Sequence, residues 1–109
     1  MKRIEAVVRR DKLQEVKRAM AAVPHSSLTA CDTTEQASRG GTVLLCRGTR
    51  RADDMTPRAC ISVLVEDAGT AAAIDAIVRA ARTGNDGDGT IVVVPVEEVV
   101  RISNPAAVA

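Results

Sequence analysis

The segment ARTGNDGDGTIVVV, residues 81–94, contains the residue types and spacing in this chain that point most clearly to a specific chemistry. Three glycines fall within a short stretch with one asparagine and two aspartates between them, in the order Gly84, Asn85, Asp86, Gly87, Asp88, Gly89. Ending a helix before a strand needs only one left-handed residue, usually glycine. Three glycines therefore favour a loop shaped for a specific role. The alternative is a turn without a ligand, in which Asp86 and Asp88 only shape the backbone.

The remaining candidates for catalysis or metal binding do not form a recognisable set. His25 is the single histidine and follows a proline, so we interpret it as a turn residue. Cys31, Cys46 and Cys60 show no CxxC spacing, which argues against a zinc site and a disulfide framework. Cys31 and Cys60 lie on two predicted strands and could face each other, although most buried cysteines are simply small apolar residues. We expect no catalytic residues, no bound metal and no enzymatic activity.

Composition excludes further classes of protein. The chain has 109 residues, 46% hydrophobic and 27% charged, which indicates one globular domain over residues 1–109. A net charge of +1 gives no general attraction to nucleic acid, and an aromatic content of 0% leaves no ring on which a base could stack. The charged N-terminus does not resemble a signal peptide, and no apolar run reaches membrane-spanning length. We expect a cytoplasmic protein that inserts into no membrane.

Hydrophobic periodicity predicts alternating strands and helices. Apolar residues recur at period two in the strands and at three to four residues in the helices. The predicted elements, in chain order, are a strand at 2–9, a helix from a cap at Asp11 to Pro24, strands at 27–34 and 59–66, a helix at 68–82, a strand at 90–96 and a possible short strand at 97–103. This order predicts an α+β, ferredoxin-like βαββαβ fold with an antiparallel sheet and both helices on one face. Because strands 59–66 and 90–96 look apolar on both faces, we also expect oligomerisation.

The predicted second and third strands are separated by a long irregular segment, residues 35–57, which we interpret as a protruding loop. It contains four arginines, a glycine pair and a short apolar patch: Arg39, Arg47, Arg50 and Arg51, Gly40 and Gly41, and residues 43–45. The arginines favour an anionic ligand or an acidic partner surface. The alternative is that they only keep the loop solvated.

Several segments together resemble the PII signal-transduction proteins. They are MKRIEAVVRRDKLQEVKRAM at the start, Arg47 with Gly48, Pro57 with Arg58, and RTGNDGDGTIVV, which is similar to the family's T-G-x-x-G-D-G-K. The resemblance extends to about Ser103. It implies a homotrimer that binds ADP, AMP or ATP in clefts between subunits. It also implies a nucleotide loop at about 82–90, an effector loop at about 35–57 that reaches a target protein, and a C-terminal tail at 103–109.

The resemblance also implies roles for individual residues. Gly87, Asp88 and Gly89 would line the phosphates, since glycines let backbone N–H groups approach an anion. Thr29 would approach the adenine, and Arg101 would contact phosphate. Arg58 stands where the family has a lysine.

Two departures from the family's pattern concern the nucleotide. Thr90 replaces the lysine after G-D-G, and Ser103 replaces a second C-terminal arginine. Each lost charge-assisted contact is worth roughly 1.5–3 kcal/mol. We therefore expect ADP or AMP to bind at least as well as ATP, with Thr90 in the position next to the phosphates.

Three departures concern the effector loop. Arg39 replaces a glutamine that helps bind metal and 2-oxoglutarate, Glu35 replaces a glycine, and Arg51 replaces the tyrosine that is modified in typical members. A guanidinium only donates hydrogen bonds and cannot ligate magnesium. The expected effector is a small anion, such as bicarbonate or a carboxylate, bound by Arg39, Gly40, Gly41 and Arg58. Arg47, Arg50 and Arg51 would contact the target.

These features favour a divergent PII-like protein of the inorganic-carbon type that controls a transporter or enzyme. Two alternatives stay open. One is a nitrogen-regulatory PII protein that senses ATP and 2-oxoglutarate. The other is a structural trimer of the divalent-cation-tolerance type, which would bind no nucleotide. Proteins of that type lack the T-G-x-x-G-D-G loop.

Overall fold

A four-stranded antiparallel sheet with two helices on one face forms the body of the protein. The computed structural model describes residues 1–36, 42–46, 49–53 and 55–108, with side chains for 1–36 and 55–106. The strands are β1 (Lys2–Arg9), β2 (Ser26–Gln36), β3 (Thr42–Cys46), β4 (Thr49–Asp53), β5 (Met55–Val65), β6 (Gly89–Pro95), β7 (Val100–Arg101) and β8 (Asn104–Val108). The helices are α1 (Leu13–Met20) and α2 (Thr70–Ala81), each preceded by a short 3-10 turn. The sheet order β2, β5, β1, β6 confirms the predicted ferredoxin-like fold.

The core lies between this sheet and the two helices. Alternate residues of the central strands point into it, and the helices contribute residues four apart on one face, as an amphipathic helix must. The fully buried side chains include Ile4 of β1, Ile61 and Val63 of β5, Val16 and Met20 of α1, and Ile77 of α2. No helix within the part of the chain that the structure describes is long and apolar enough to cross a membrane.

The first helix is shorter than predicted. It ends at Met20, and the chain then forms tighter bonds, from the N–H of Ala22 to the carbonyl of Ala19 and from Val23 to Met20. A proline disfavours the α conformation in the residue before it, so the helix ends before Pro24 and not at Pro24 as predicted. The predicted cap is wrong as well: Asp11 lies inside the 3-10 turn, and its side chain caps neither helix.

The segment at 35–57 contains more regular structure than the predicted loop. The β2–β5 pairing continues to Gln36 and Met55, and β3 pairs with β4 as an antiparallel hairpin. Pro57 fits within β5 because β1 reaches only Arg58 on that side, which leaves the proline unpaired along one edge. The apolar residues of β3 have the β propensity that favours a ribbon. Arg39, Gly40, Gly41 and Arg47 lie outside the described residues.

The face of the sheet opposite the helices, called here the open face, is mixed in character. Opposite residues of antiparallel strands share a face, which defines rows across the sheet. One row, from β2 to β6, is Thr29, Ser62, Glu5, Val92, and the next is Cys31, Cys60, Val7, Thr90. The expectation of a second wholly apolar face is therefore wrong, because the inner strands place Glu5 and Ser62 there.

Exposed apolar residues lie on edge strand β6 and in the C-terminal hairpin, among other places. Val92 on edge strand β6 is 51% exposed, and Ile102 in the C-terminal hairpin is 98% exposed. That hairpin is formed by β7 and β8, so residues 104–108 of the expected tail are a strand. An apolar cavity of about 340 Å³ opens between α2 and β6 at the same edge. An exposed apolar surface of this kind is typical of an interface with another protein chain.

We therefore predict a homotrimer that uses the β6 edge. Light scattering at micromolar concentration should give a trimeric mass, since obligate interfaces are large and apolar. Val92→Lys should shift the mass towards the monomer, whereas Ala72→Lys, on the exposed side of α2, should not. A monomeric wild-type protein would contradict the prediction.

Candidate functional site

Three chain segments meet at the end of β1. Because β1 runs antiparallel to both neighbours, its last residues lie beside the early part of β5 and the start of β6. Arg9 pairs with Arg58 on one side, and Val8 pairs with Gly89 on the other. The glycine loop therefore lies next to Arg58, although the two are far apart in sequence.

Asp88 holds the glycine loop in shape. Its carboxylate accepts hydrogen bonds from the backbone N–H of Thr83 at 2.7 Å, from the N–H of Gly84 at 3.0 Å and from the Thr83 hydroxyl. Arg9 Nε donates to the same carboxylate at 3.0 Å. The Thr83 hydroxyl, together with the other donors, holds the pKa of Asp88 well below its usual range. Asp88 is thus ionised at neutral pH and directed into the loop.

Two arginines that the sequence analysis did not single out connect this loop to the sheet. Arg9 also donates from Nη2 to the carbonyl of Asp86 at 3.0 Å, so it holds the loop at two points. Arg10 donates to the carbonyl of Thr33 at 3.2 Å and contacts Asp32 at 3.4 Å, which ties β2 to the end of β1. Their position at the end of a strand that is antiparallel to its neighbours was the signal available in the sequence.

Two of the glycines are required by their surroundings. Gly89 has φ +125°, and a Cβ there would lie 1.9 Å from the carbonyl oxygen of Val7. Gly87 has φ +85°, and a Cβ there would lie 3.4 Å from Arg58 Nη2. At Gly89 only glycine allows the loop to join the sheet, and at Gly87 it leaves the backbone open beside a guanidinium.

Arg58 carries a charge that is buried and poorly compensated. The residue is 7% exposed, and its Nε has no hydrogen-bond partner among the described residues. Among the side chains that the structure describes, its ion-pair partner is Glu35, whose Oε1 lies 3.6 Å from Nε, too far for a hydrogen bond. A buried cation with so little compensation is costly, and an anion beside Gly87, next to Nη2, would add compensation for the charge of the guanidinium.

The other predicted nucleotide residues are distributed over the open face and the C-terminus. Thr29 on β2 and Thr90 on β6 are exposed on the same face as Arg58, on opposite sides of the two central strands. Arg101 is exposed in β7, where it pairs with Asn104. One subunit therefore places Arg58, Gly87 and Thr90 near one end of the sheet, and Thr29 two rows further along the open face from Arg58.

The structure describes fewer of the predicted effector residues. Arg50 and Arg51 lie on β4, opposite Leu45 and Leu44, and the structure describes only their backbone. Among the residues whose side chains are described, no group of three or more histidine, cysteine or carboxylate side chains could hold a metal ion.

Comparison with known proteins assigns this arrangement to a family. A family profile described as Nitrogen regulatory protein P-II matches residues 1–105. The Nitrogen regulatory protein P-II of Azospirillum brasilense is 43% identical over 102 residues, which cover 94% of this chain and 91% of the relative. The protein of the same name from Rhodospirillum rubrum is 38% identical with the same coverage. Nitrogen regulatory protein P-II 2 of Methanothermobacter thermautotrophicus is 35% identical over 102 residues, 94% of this chain and 89% of the relative.

The fold, the glycine loop and these matches define a regulatory protein with an α+β domain. The chain belongs to the P-II family of signal-transduction proteins. This confirms the family that the sequence resembles.

We predict a graded loss of stability from three glycine substitutions. Gly89→Ala should lower the free energy of unfolding by more than about 3 kcal/mol, because left-handed strain adds to a clash with backbone. Gly84→Ala, at φ +90° in open space, should lower it by only about 1–2 kcal/mol. Gly69→Ala, at φ −93° in open space, is the control and should change it by less than about 1 kcal/mol. Denaturant unfolding at fixed protein concentration measures all three, and equal losses for Gly84 and Gly89 would contradict this account of the loop.

Proposed function

We propose that this protein is a nitrogen-regulatory P-II signal transducer that binds an adenine nucleotide between the glycine loop and Arg58 and controls a target enzyme or transporter through residues 35–57. The observation that carries the proposal is the guanidinium of Arg58, which is buried, has no hydrogen-bond partner for Nε among the described residues and presents Nη2 to the open backbone at Gly87. A phosphate in that position would accept charge-assisted hydrogen bonds from Arg58 and from loop N–H groups.

The glycine loop supports this role because its shape does not depend on a ligand. Asp88 and Arg9 already fix the loop through internal hydrogen bonds, so the loop would lose little conformational entropy when a phosphate binds. In this proposal Asp88 shapes the loop, while Gly87 and Gly89 provide the close approach. Thr29 contacts the base from the open face, and Arg101 of a neighbouring subunit completes the site at the interface.

The choice of the nitrogen-regulatory branch rests on relatives. The similar proteins from Azospirillum brasilense and Rhodospirillum rubrum are both named nitrogen regulatory proteins, which supports this reading over the inorganic-carbon type favoured by the sequence. The argument for the other branch relied on Arg39, which lies outside the described residues. The P-II match also favours nucleotide binding over a structural trimer of the divalent-cation-tolerance type.

A route from nucleotide to target follows from Glu35. Its carboxylate is the one that Arg58 faces within this site, and it stands at the end of β2 where the 35–57 segment begins. A phosphate or carboxylate bound by Arg58 competes with Glu35 for the same cation. Ligand binding thereby changes the contacts at the base of the segment that reaches the target.

We predict that Arg58→Gln lowers the affinity for ADP by about 10- to 100-fold, because one charge-assisted contact is worth roughly 1.5–3 kcal/mol. Isothermal titration calorimetry measures it, with Arg58→Lys expected to restore part of the loss. Arg79→Gln, which removes an arginine that is 79% exposed on α2, is the matched control and should bind as the wild type does. An unchanged affinity in a folded Arg58→Gln protein would refute this nucleotide site. The same titrations should show ADP or AMP binding at least as tightly as ATP, since Thr90 and Ser103 supply no positive charge.

The second ligand distinguishes the two regulatory branches. If Arg58 binds a carboxylate directly, 2-oxoglutarate should change the affinity for ADP equally in EDTA and in magnesium, because no metal ion is needed. Because coupling between two ligands is reciprocal, ADP should change the affinity for 2-oxoglutarate by the same factor. We expect this result, measured by titrating ADP with and without the second ligand, and its loss in Arg58→Gln. A response to bicarbonate without one to 2-oxoglutarate would instead support the small-anion candidate, which the buried guanidinium of Arg58 also favours. A response to neither anion would contradict direct binding by this arginine.

A further inference from the structure

Two free thiols face each other in the middle of the open face. Cys31 of β2 is directly opposite Cys60 of β5 in the antiparallel register. Both are free, Cys31 is exposed, and Cys60 is half-buried. Directly opposite residues of antiparallel strands have Cβ atoms about 4.5–5.5 Å apart, whereas a disulfide needs about 3.5–4.5 Å. A small approach of the two strands is therefore enough to join the sulfur atoms.

We infer that Cys31 and Cys60 are a reversible dithiol site that a low-molecular-weight disulfide, such as oxidised glutathione, converts to an intramolecular disulfide. The Cys31 thiolate attacks one sulfur of the small disulfide, which forms a mixed disulfide and releases one thiol. The Cys60 thiolate then attacks the Cys31 sulfur, which releases the second thiol. The protein loses two hydrogens and two electrons, and the small disulfide gains both.

The exposure of the two sulfurs sets the order of these steps. Cys31 is open to a small oxidant, while burial, then the nearby Cys31 and Glu5, raise the pKa of the Cys60 thiol. Cys60 is thus a poor first nucleophile and a poor leaving group. Because attack on a disulfide is faster when the departing thiol has a low pKa, the closed bond should be displaced slowly by attack at the Cys31 sulfur, where Cys60 is the departing thiol.

The position of this pair gives the disulfide a consequence that rests on the proposed function. Along β2 and β5, the row that contains Thr29 lies on one side of the pair, and the row that contains Arg58 lies on the other. Closing the disulfide draws the two strands together between the residues proposed to contact the base and the phosphate. Oxidation should therefore lower the affinity for ADP, and bound ADP should hinder oxidation by the same free energy.

The test uses the full-length Cys46→Ser protein, which keeps only the two thiols of interest. It is incubated with reduced and oxidised glutathione at varied ratios, acid-quenched and analysed by intact mass and non-reducing peptide mapping. We expect a product that lacks two hydrogens and links residues 31 and 60. The additional Cys60→Ser change should instead leave a glutathione adduct on Cys31.

A comparison with the same protein in urea isolates the contribution of the fold. The folded protein should form its disulfide at a ratio of reduced to oxidised glutathione at least about tenfold higher than the unfolded protein requires, because the sheet holds the two thiols together. Equal ratios, lasting glutathione adducts on the two-thiol protein, or cross-linked subunits would overturn the inference.

Calorimetry with ADP on the reduced and oxidised Cys46→Ser protein tests the coupling separately. We expect at least about tenfold weaker binding after oxidation. Equal affinities would overturn the coupling to the nucleotide. Absence of ADP binding to the reduced protein would refute the proposed function and leave the dithiol site to be judged by its mass and redox measurements alone.

Discussion

The carboxylate of Asp88 joins the glycine loop to the sheet, and the geometry of the candidate site depends on that junction. The loop's backbone donates to it from Thr83 and Gly84, and the sheet donates to it from Arg9. Each donor alone is a modest contact, but such a network fixes all its members together. Fixing the loop brings the backbone of Gly87 next to the guanidinium of Arg58. In the proposed function, Asp88 therefore contributes to ligand binding through position, although its own charge would repel a phosphate.

The sequence predicted the parts of this protein that depend on local periodicity. The strand 2–9 and the helix 68–82 were close to the observed elements because every second or every third to fourth residue must reach the core. The extra length of β2 and β5 could not be read in this way. Their ends, around Thr34 and Pro57, pair only with each other and lie beyond the core, so no hydrophobic alternation marks them.

The candidate site was predictable only where it is local. The glycines and Asp88 lie within one short segment, so their spacing alone indicated a loop with a role. The contact between Arg9 and Asp88 joins residues 79 positions apart, and it exists because of the strand order and register. The sequence places Arg9 at the end of a predicted strand, but nothing around it indicates that Asp88 is its partner. The same holds for the pairing of Cys31 with Cys60, which was a possibility until the register placed them opposite each other.

The three arginines at this end of the sheet differ in function because they differ in the number of partners each one has. Arg9 donates hydrogen bonds to the carboxylate of Asp88 and to the carbonyl of Asp86. Arg10 donates to the carbonyl of Thr33 and forms an ion pair with Asp32. Both are committed to the protein itself, and a ligand that recruited them would have to break contacts that hold the loop or β2. Arg58 is the most buried of the three, and among the residues whose side chains are described its one carboxylate contact is the long one to Glu35. Since an unsatisfied buried charge costs more than an exposed one, the free energy gained by adding an anion is greatest at Arg58. In the proposed function, the fully engaged arginines thus provide the rigid frame, and the least engaged one provides the affinity.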